Sequence, residues 1–337
     1  MIMHSSTGAE PPAIQLENVA ASVRVGDQWR AVLRDVSFVV AAGEALGIVG
    51  ESGSGKSMTA KAIARLLPGR TRLTGTVRVG GLDVNTLSGR ALRAHRSRVG
   101  FIFQDPKAHI NPVRTIGDFM TESLVRTAGV RRREAMVRAA RALGGVGVTS
   151  PERRLAQYPH ELSGGLLQRV MIATVLLGEP EMILADEPTT ALDVTTQSEV
   201  IAILDEMRRE RNLALVFITH DLELASTVCD RTAVMYAGQI VETRASKDVH
   251  EGSRHPYTRA LVGARPLLDH PQERLTVLPG RPIAPADAPA GCSFHTRCPY
   301  AKESCAEIEP ELEEFDGGTV RCIRKHEIWS ATTAVPR

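Results

Sequence analysis

The 337 residues are 43% hydrophobic and 24% charged, the balance of a globular chain with ample apolar material for a core, which excludes disorder as the default state. Lys plus Arg at 41 against Asp plus Glu at 39 leaves a formal charge of +2, too near neutral to recruit nucleic acid by charge, and 4% aromatic residues build no broad platform for stacking bases. The length suits about two domains, or one large α/β domain with an appendage.

Residues 1–13 are polar, hold Pro11 and Pro12, and lack the charged and apolar regions of a secretory signal. They are expected to be a disordered N-terminus on a chain made in the cytosol and retained there. A spanning helix needs about 20 mostly apolar residues, and runs such as Val170 to Leu177 stop well short, so a soluble chain is expected. From Ile14 to about Val79, short apolar or alternating runs (Val32 to Val40, Ala45 to Val49, Gly75 to Val79) predict strands. One helix over Ser57 to Leu67 interrupts them, with Pro68-Gly69 as its stop. Between about Pro106 and Leu162 the period becomes helical. Met136, Ala139, Ala140 and Leu143 mark one helix face, and Arg132, Arg133, Arg138 and Arg141 mark the other, which reads as a solvated face.

Strand runs return at Met182 to Ala185 and Ala214 to Thr219 and alternate with helical patterns such as Gln197 to Glu210. That alternation predicts a parallel sheet with crossover helices. Beyond about Ala245, Pro, Cys and charged residues take over, and the proline-spaced Leu278 to Pro289 reads as an ordered loop into a small module. The expected organisation is therefore an α/β core over 14–245 with a helical insertion at about 106–165. A C-terminal extension over 246–328 and a tail over 329–337 follow it.

The clearest chemistry lies in Gly50-Glu51-Ser52-Gly53-Ser54-Gly55-Lys56-Ser57, a full match to the phosphate loop. A strand feeds the loop and a helix leaves it, so backbone N–H groups turn inward around phosphates and the helix N-terminus adds partial positive charge. Lys56 suits the β- and γ-phosphates, and the Ser57 hydroxyl suits Mg²⁺. Met182 to Ala185 is an apolar strand ending in Asp186-Glu187. The first carboxylate suits a water-mediated Mg²⁺ contact and the second suits orienting or deprotonating the attacking water. Leu162 to Arg169 holds a Ser163-Gly164-Gly165 turn that opens an apolar helix, a second place for an anion in the same chain. With one phosphate loop and two such turns, the second serves another nucleotide. Gln104 and His220 each end an apolar run, where a sensor of the γ-phosphate would sit.

In this order the motifs resemble those of the ATP-binding cassette family over roughly Ile14 to Ala245. The resemblance implies a RecA-like phosphate-loop NTPase core with a helical signature subdomain, and Mg-ATP as its ligand. ATP would be bound by Gly50, Ser52 to Met58 and Asp186, with Ser163 to Gly165 and Asp193 contributed by the opposite cassette of a head-to-tail pair. Ser57, Gln104 and Asp186 would serve Mg²⁺, Glu187 would be the catalytic base and His220 the switch at the γ-phosphate. Gln104 would carry coupling to membrane subunits, and Ala191-Leu192-Asp193 would form the D-loop. The adenine-stacking aromatic has no clean equivalent: Val25 aligns poorly, and Trp29 is the candidate.

A narrower resemblance covers nearly the whole chain. Tyr158 to Gly165, His255-Pro256-Tyr257-Thr258 and Gly291-Cys292-Ser293-Phe294-His295-Thr296-Arg297-Cys298-Pro299 are similar to segments of oligopeptide, dipeptide and nickel importer ATPases. This implies a peripheral ATPase on the cytoplasmic face of the inner membrane. Its partners would be a second, unlike cassette chain, two membrane-spanning permease subunits and an extracytoplasmic binding protein, with no nucleic acid. The cargo would be a di- or oligopeptide. Leu166-Leu167 departs from the peptide-importer pattern and leaves nickel or a metal chelate open. Lys107 to Pro112 departs at the coupling stretch. A soluble cassette ATPase acting on DNA or ribosomes would instead show two cassettes in one chain, a long coiled coil or a strong basic excess.

Four of the five cysteines, Cys292, Cys298, Cys305 and Cys322, crowd the C-terminal extension with five, six and sixteen residues between successive members. In a reducing cytosol such clustering favours a metal over disulfides, although the spacing matches neither common zinc knuckles nor ferredoxins. An iron–sulfur cluster, zinc and uncoordinated thiols all remain open, and the importer resemblance favours the cluster. His295 and His326 could replace a ligand. Cys229 reads as a small buried hydrophobe.

Overall fold

The structure, a computed structural model, describes residues 11–190, 192–264 and 278–330. The segments 1–10, Ala191 of the expected D-loop and most of the expected tail lie outside the described residues. The strands in chain order are β1 (Ile14–Val25), β2 (Gln28–Val40), β3 (Ala45–Val49), β4 (Thr71–Val79), β5 (Leu82–Asp83) and β6 (Val99–Ile102). They continue as β7 (Met182–Asp186), β8 (Ala214–Thr219), β9 (Arg231–Tyr236), β10 (Gln239–Ala245), β11 (Glu313–Phe315) and β12 (Gly318–Val320).

Two sheets result. An antiparallel one has the order β2-β1-β4-β5, and the larger one has the order β11-β12-β10-β9-β3-β8-β7-β6. Within the larger sheet β6, β7, β8, β3 and β9 run parallel. Four of them, β3, β6, β7 and β8, are buried along their whole length. Strands covered on both faces read as continuous apolar runs, which is why they were legible. A parallel sheet presents its carboxyl ends to a crevice, and here the loops after β3, β6, β7 and β8 carry the phosphate loop, Gln104, Glu187 and His220.

The helix after the phosphate loop spans Lys56–Ile63 and ends before Leu66 and Leu67. Arg65 takes a left-handed conformation (φ 56°), and the Leu66 N–H turns back to the Lys61 carbonyl at 2.8 Å. The chain thus leaves the helix ahead of Pro68. The helical region contains Pro106–His109, Ile116–Arg126, Arg132–Gly145 and Pro151–Leu155. Ala135, Ala139 and Leu143 are buried, while Arg132 and Arg138 pair with Asp118 and Glu134 on the outer side, as a solvated face requires. This layer packs on the apolar helix Gly164–Leu177.

The C-terminal extension joins the main sheet rather than standing apart from it. β12 pairs with β10 in the register Glu242↔Val320, Thr243↔Thr319 and Arg244↔Gly318. A Cβ on Gly318 would lie 2.4 Å from the Thr243 carbonyl oxygen, so the close approach needs glycine there. Arg321 pins the hairpin: its guanidinium donates to the carbonyls of Ile240 and Pro310 and to the Asp35 carboxylate on β2. Phe294 is buried against Tyr236 and Tyr257, forming a small core of its own between β9 and the extension.

Candidate functional site

Ser52, Gly53, Gly55, Lys56, Ser57 and Met58 line one pocket together with Gln104, Glu187 and His220. The loop's path depends on its glycines. A Cβ on Gly50 would lie 2.1 Å from the Met235 carbonyl oxygen, and one on Gly55, at φ 109°, would lie 2.9 Å from that of Val32. The Lys56 ammonium is buried and donates to the carbonyls of Gly50 (2.7 Å) and Glu51 (3.0 Å). Burial lowers its pKa from the ordinary lysine value, while Glu187, Asp186 and Glu51 pull it back up. The Ser57 hydroxyl donates to Asp186 at 2.8 Å. Burial raises the Asp186 pKa, opposed by that hydrogen bond.

Glu187 follows β7 in a left-handed conformation (φ 46°), and its N–H bonds to the Ile218 carbonyl at 3.0 Å. Such backbone for a non-glycine residue is costly and concentrates at working sites. One carboxylate oxygen of Glu187 accepts from the Gln104 amide (3.0 Å) and the Thr190 hydroxyl (2.8 Å), and lies 3.5 Å from His220 Nδ1. Thr190 escaped the sequence reading because a threonine three residues after the acidic pair carries no motif of its own.

Ser163, Gly164, Gly165 and Asp193 are not among the residues that line this pocket. The Ser163 hydroxyl accepts from the Leu166 N–H and caps the signature helix, and Asp193 caps the helix Val194–Arg211 by accepting from the Thr196 N–H and hydroxyl. A Cβ on Gly165 would lie 2.7 Å from Thr196 Cγ2, so glycine lets the two caps approach.

Trp29 is not among the pocket's lining residues, and Arg72 places its guanidinium 4.0 Å over one face of the indole ring. Val32, three residues along β2, and Pro285 of the C-terminal extension line the pocket instead. Pro285 belongs to the proline-spaced stretch, whose composition marks a loop but not its destination.

Cys292, Cys298, Cys305 and Cys322 line one small cavity with His295 and the buried His255. Burial pushes the Cys292 thiol up to about 12 and Cys298 up to about 11, with the neighbouring cysteines adding to both. Among the described residues no group of three or more His, Cys, Asp or Glu is arranged to hold a metal ion, these four cysteines included. His295 Nδ1 hydrogen-bonds with the Cys292 carbonyl at 2.8 Å, and His326 stacks edge-on to Phe315. His255 caps the helix Pro256–Gly263 through Nδ1, and burial lowers its pKa to about 3. Cys229 is buried with its pKa raised by desolvation, as a small hydrophobe should be.

The family description "ABC transporter" matches residues 33–190, and "Oligopeptide/dipeptide transporter, C-terminal region" matches residues 241–305. The chain is 42% identical over 294 residues to the oligopeptide transport ATP-binding protein OppD of Escherichia coli (strain K12), covering 87% of each chain. It is 42% identical over 307 residues to the dipeptide transport ATP-binding protein DppD of Haemophilus influenzae, covering 89% of this chain and 92% of the other. The chain belongs to the ATP-binding subunits of the oligopeptide/dipeptide ABC transporters. Among solved structures this cassette is similar to a dimeric post-hydrolysis state of the ATP-binding cassette MJ0796 bound to ADP and Pi. The TM-score is 0.62 at 29% identity, over 69% of this chain and 98% of that one. It is also similar to cbiO1 from Clostridium perfringens, with a TM-score of 0.62 at 25% identity over 72% and 92% of the two chains. The cassette is thus an ABC-type ATPase of α/β phosphate-loop fold that binds ATP. No helix among its described residues is long and apolar enough to cross a membrane.

Proposed function

We propose that this cassette powers the uptake of di- or oligopeptides from a position on the cytoplasmic face of the inner membrane. It would work with a second, unlike cassette, two membrane-spanning subunits and an extracytoplasmic binding protein. The observation that carries the ATPase chemistry is the convergence of Gln104, Thr190 and His220 on the Glu187 carboxylate beside the phosphate loop. Lys56 would leave its two loop carbonyls for the β- and γ-phosphates. Glu187 would accept the proton of the attacking water, held in place by Gln104 and Thr190, and His220 would contact the γ-phosphate. Mg²⁺, held by Ser57 and Gln104 and through water by Asp186, would neutralise the developing phosphate charge. The absence of Ser163 to Gly165 and Asp193 from the pocket's lining supports a site completed by the second cassette, as does the dimeric form of MJ0796. Peptide as cargo is supported by the oligopeptide and dipeptide relatives.

The test is ATP-driven uptake in vesicles containing the copurified partners. Accumulation of a labelled oligopeptide that needs ATP and an intact Lys56 is expected. Uptake of nickel with no uptake of peptides would overturn the cargo assignment.

We propose further that Cys292, Cys298, Cys305 and Cys322 hold an iron–sulfur cluster, with zinc as the competing occupant. Their shared cavity supports this reading. Anaerobically purified chain should contain iron and acid-labile sulfide that Cys298→Ser removes. Stoichiometric zinc without sulfide would select the competitor, and four freely alkylated cysteines in the folded chain would end both.

A further inference from the structure

Glu51 lies inside the phosphate loop at a position where the motif accepts any residue, yet every polar group of it is engaged. Its carboxylate receives a bidentate fork from Arg297, with Nη1 to Oε2 at 2.8 Å and Nη2 to Oε1 at 3.1 Å. Its N–H donates to the Tyr257 hydroxyl at 3.1 Å, and its carbonyl accepts from Lys56 at 3.0 Å. The Arg297 side chain is 4% exposed and that of Glu51 is 21% exposed, so the pair is poorly screened by water. Arg297 is itself fixed: Nε donates to the Pro279 carbonyl and Nη1 reaches the Tyr236 hydroxyl. Both C-terminal motifs, His255 to Thr258 and Gly291 to Pro299, therefore converge on one residue of the phosphate loop.

We propose that Arg297 and Tyr257 form a clamp on Glu51 that sets ATP affinity, making nucleotide binding depend on the folded cysteine-bearing extension. Arg297 is a positioning residue in this scheme. It neutralises a carboxylate whose charge acts on Lys56, and it fixes the course of the loop at Glu51. Cys298, in the cysteine cavity, follows Arg297 directly in the chain, so cavity and clamp share one segment. The clamp rests on the ATP-binding reading of the site and not on what occupies the cysteines.

The test is binding of a fluorescent N-methylanthraniloyl ATP, with Mg²⁺, to the full-length chain and to Arg297→Gln, Glu51→Gln and the double variant, each first shown to melt cooperatively. An unpaired carboxylate competing for Lys56 should raise the Kd of Arg297→Gln about tenfold. Removing that carboxylate as well should bring the double variant back to within about threefold of wild type, a rescue that a merely structural arginine would not permit. Should Arg297→Gln not fold, Arg297→Lys is read in the same way, with a smaller rise that Glu51→Gln reverses. An unchanged Kd in the arginine variant, or a double variant no better than the single one, overturns the clamp. Failure of the wild-type chain to bind the probe would instead overturn the reading beneath it.

Discussion

The Gln104 amide donates to the Glu187 carboxylate across 3.0 Å, tying the end of β6 to the end of β7 directly over the phosphate loop. Thr190 donates to the same oxygen. Replacing Gln104 by Ala therefore leaves Glu187 oriented by the Thr190 hydroxyl and the more distant His220. Basal turnover of the purified cassette should fall by about tenfold, short of the loss expected for a general base itself. Steady-state phosphate release checks this, and an unchanged rate would show that Thr190 and His220 suffice.

Lys56→Ala removes the buried ammonium that the loop holds through Gly50 and Glu51. The affinity for Mg-ATP should drop by at least about a hundredfold, from loss of charge-assisted contacts to two phosphates. Equilibrium binding of labelled ATP measures it, and retained affinity would remove Lys56 from the phosphate site.

Gly165→Val introduces a branched side chain where even a Cβ would lie 2.7 Å from Thr196. The signature helix and the Asp193 cap should be driven apart while the phosphate loop is untouched. ATP binding by the single chain should persist, and partner-stimulated hydrolysis should fall to background. Equal loss of both activities would show that the damage is to folding.

Cys229 lies against Gly47 and Ala225 with its thiol pKa raised by burial, so almost no thiolate forms at neutral pH. A maleimide reagent should label it only after denaturation, as followed by mass spectrometry. Labelling of Cys229 in the native cassette would mean that the helix Leu222–Val228 opens readily from β3.

Much of this architecture is readable from residue order because the parallel strands are covered on both faces. β8 shows it: Ala214 to Thr219 is one uninterrupted apolar run with the bounds the structure gives it. Gln104, Glu187 and His220 lie in the loops after such strands, so the apolar runs point to their positions. Pro68-Gly69 predicts a helix up to Leu67, but a left-handed Arg65 ends it at Ile63, and nothing in an arginine announces that conformation. Trp29 has a ring that suits stacking on a base, while the guanidinium over it comes from Arg72 on β4, a pairing visible only in three dimensions. The hairpin β11–β12 consists of three-residue strands, too short to show a period, and its partner β10 lies far earlier in the chain. The Arg297 fork on Glu51 was invisible for the same reason of distance along the chain.

Glu187→Gln tests the central claim most directly, because it keeps the shape of the side chain while removing its capacity to take a proton. The measurement is a paired one on the assembled transporter: equilibrium binding of Mg-ATP and single-turnover hydrolysis of the bound nucleotide. Wild-type affinity with hydrolysis slowed by at least about a hundredfold is the predicted result. Hydrolysis at the wild-type rate in Glu187→Gln would contradict the account.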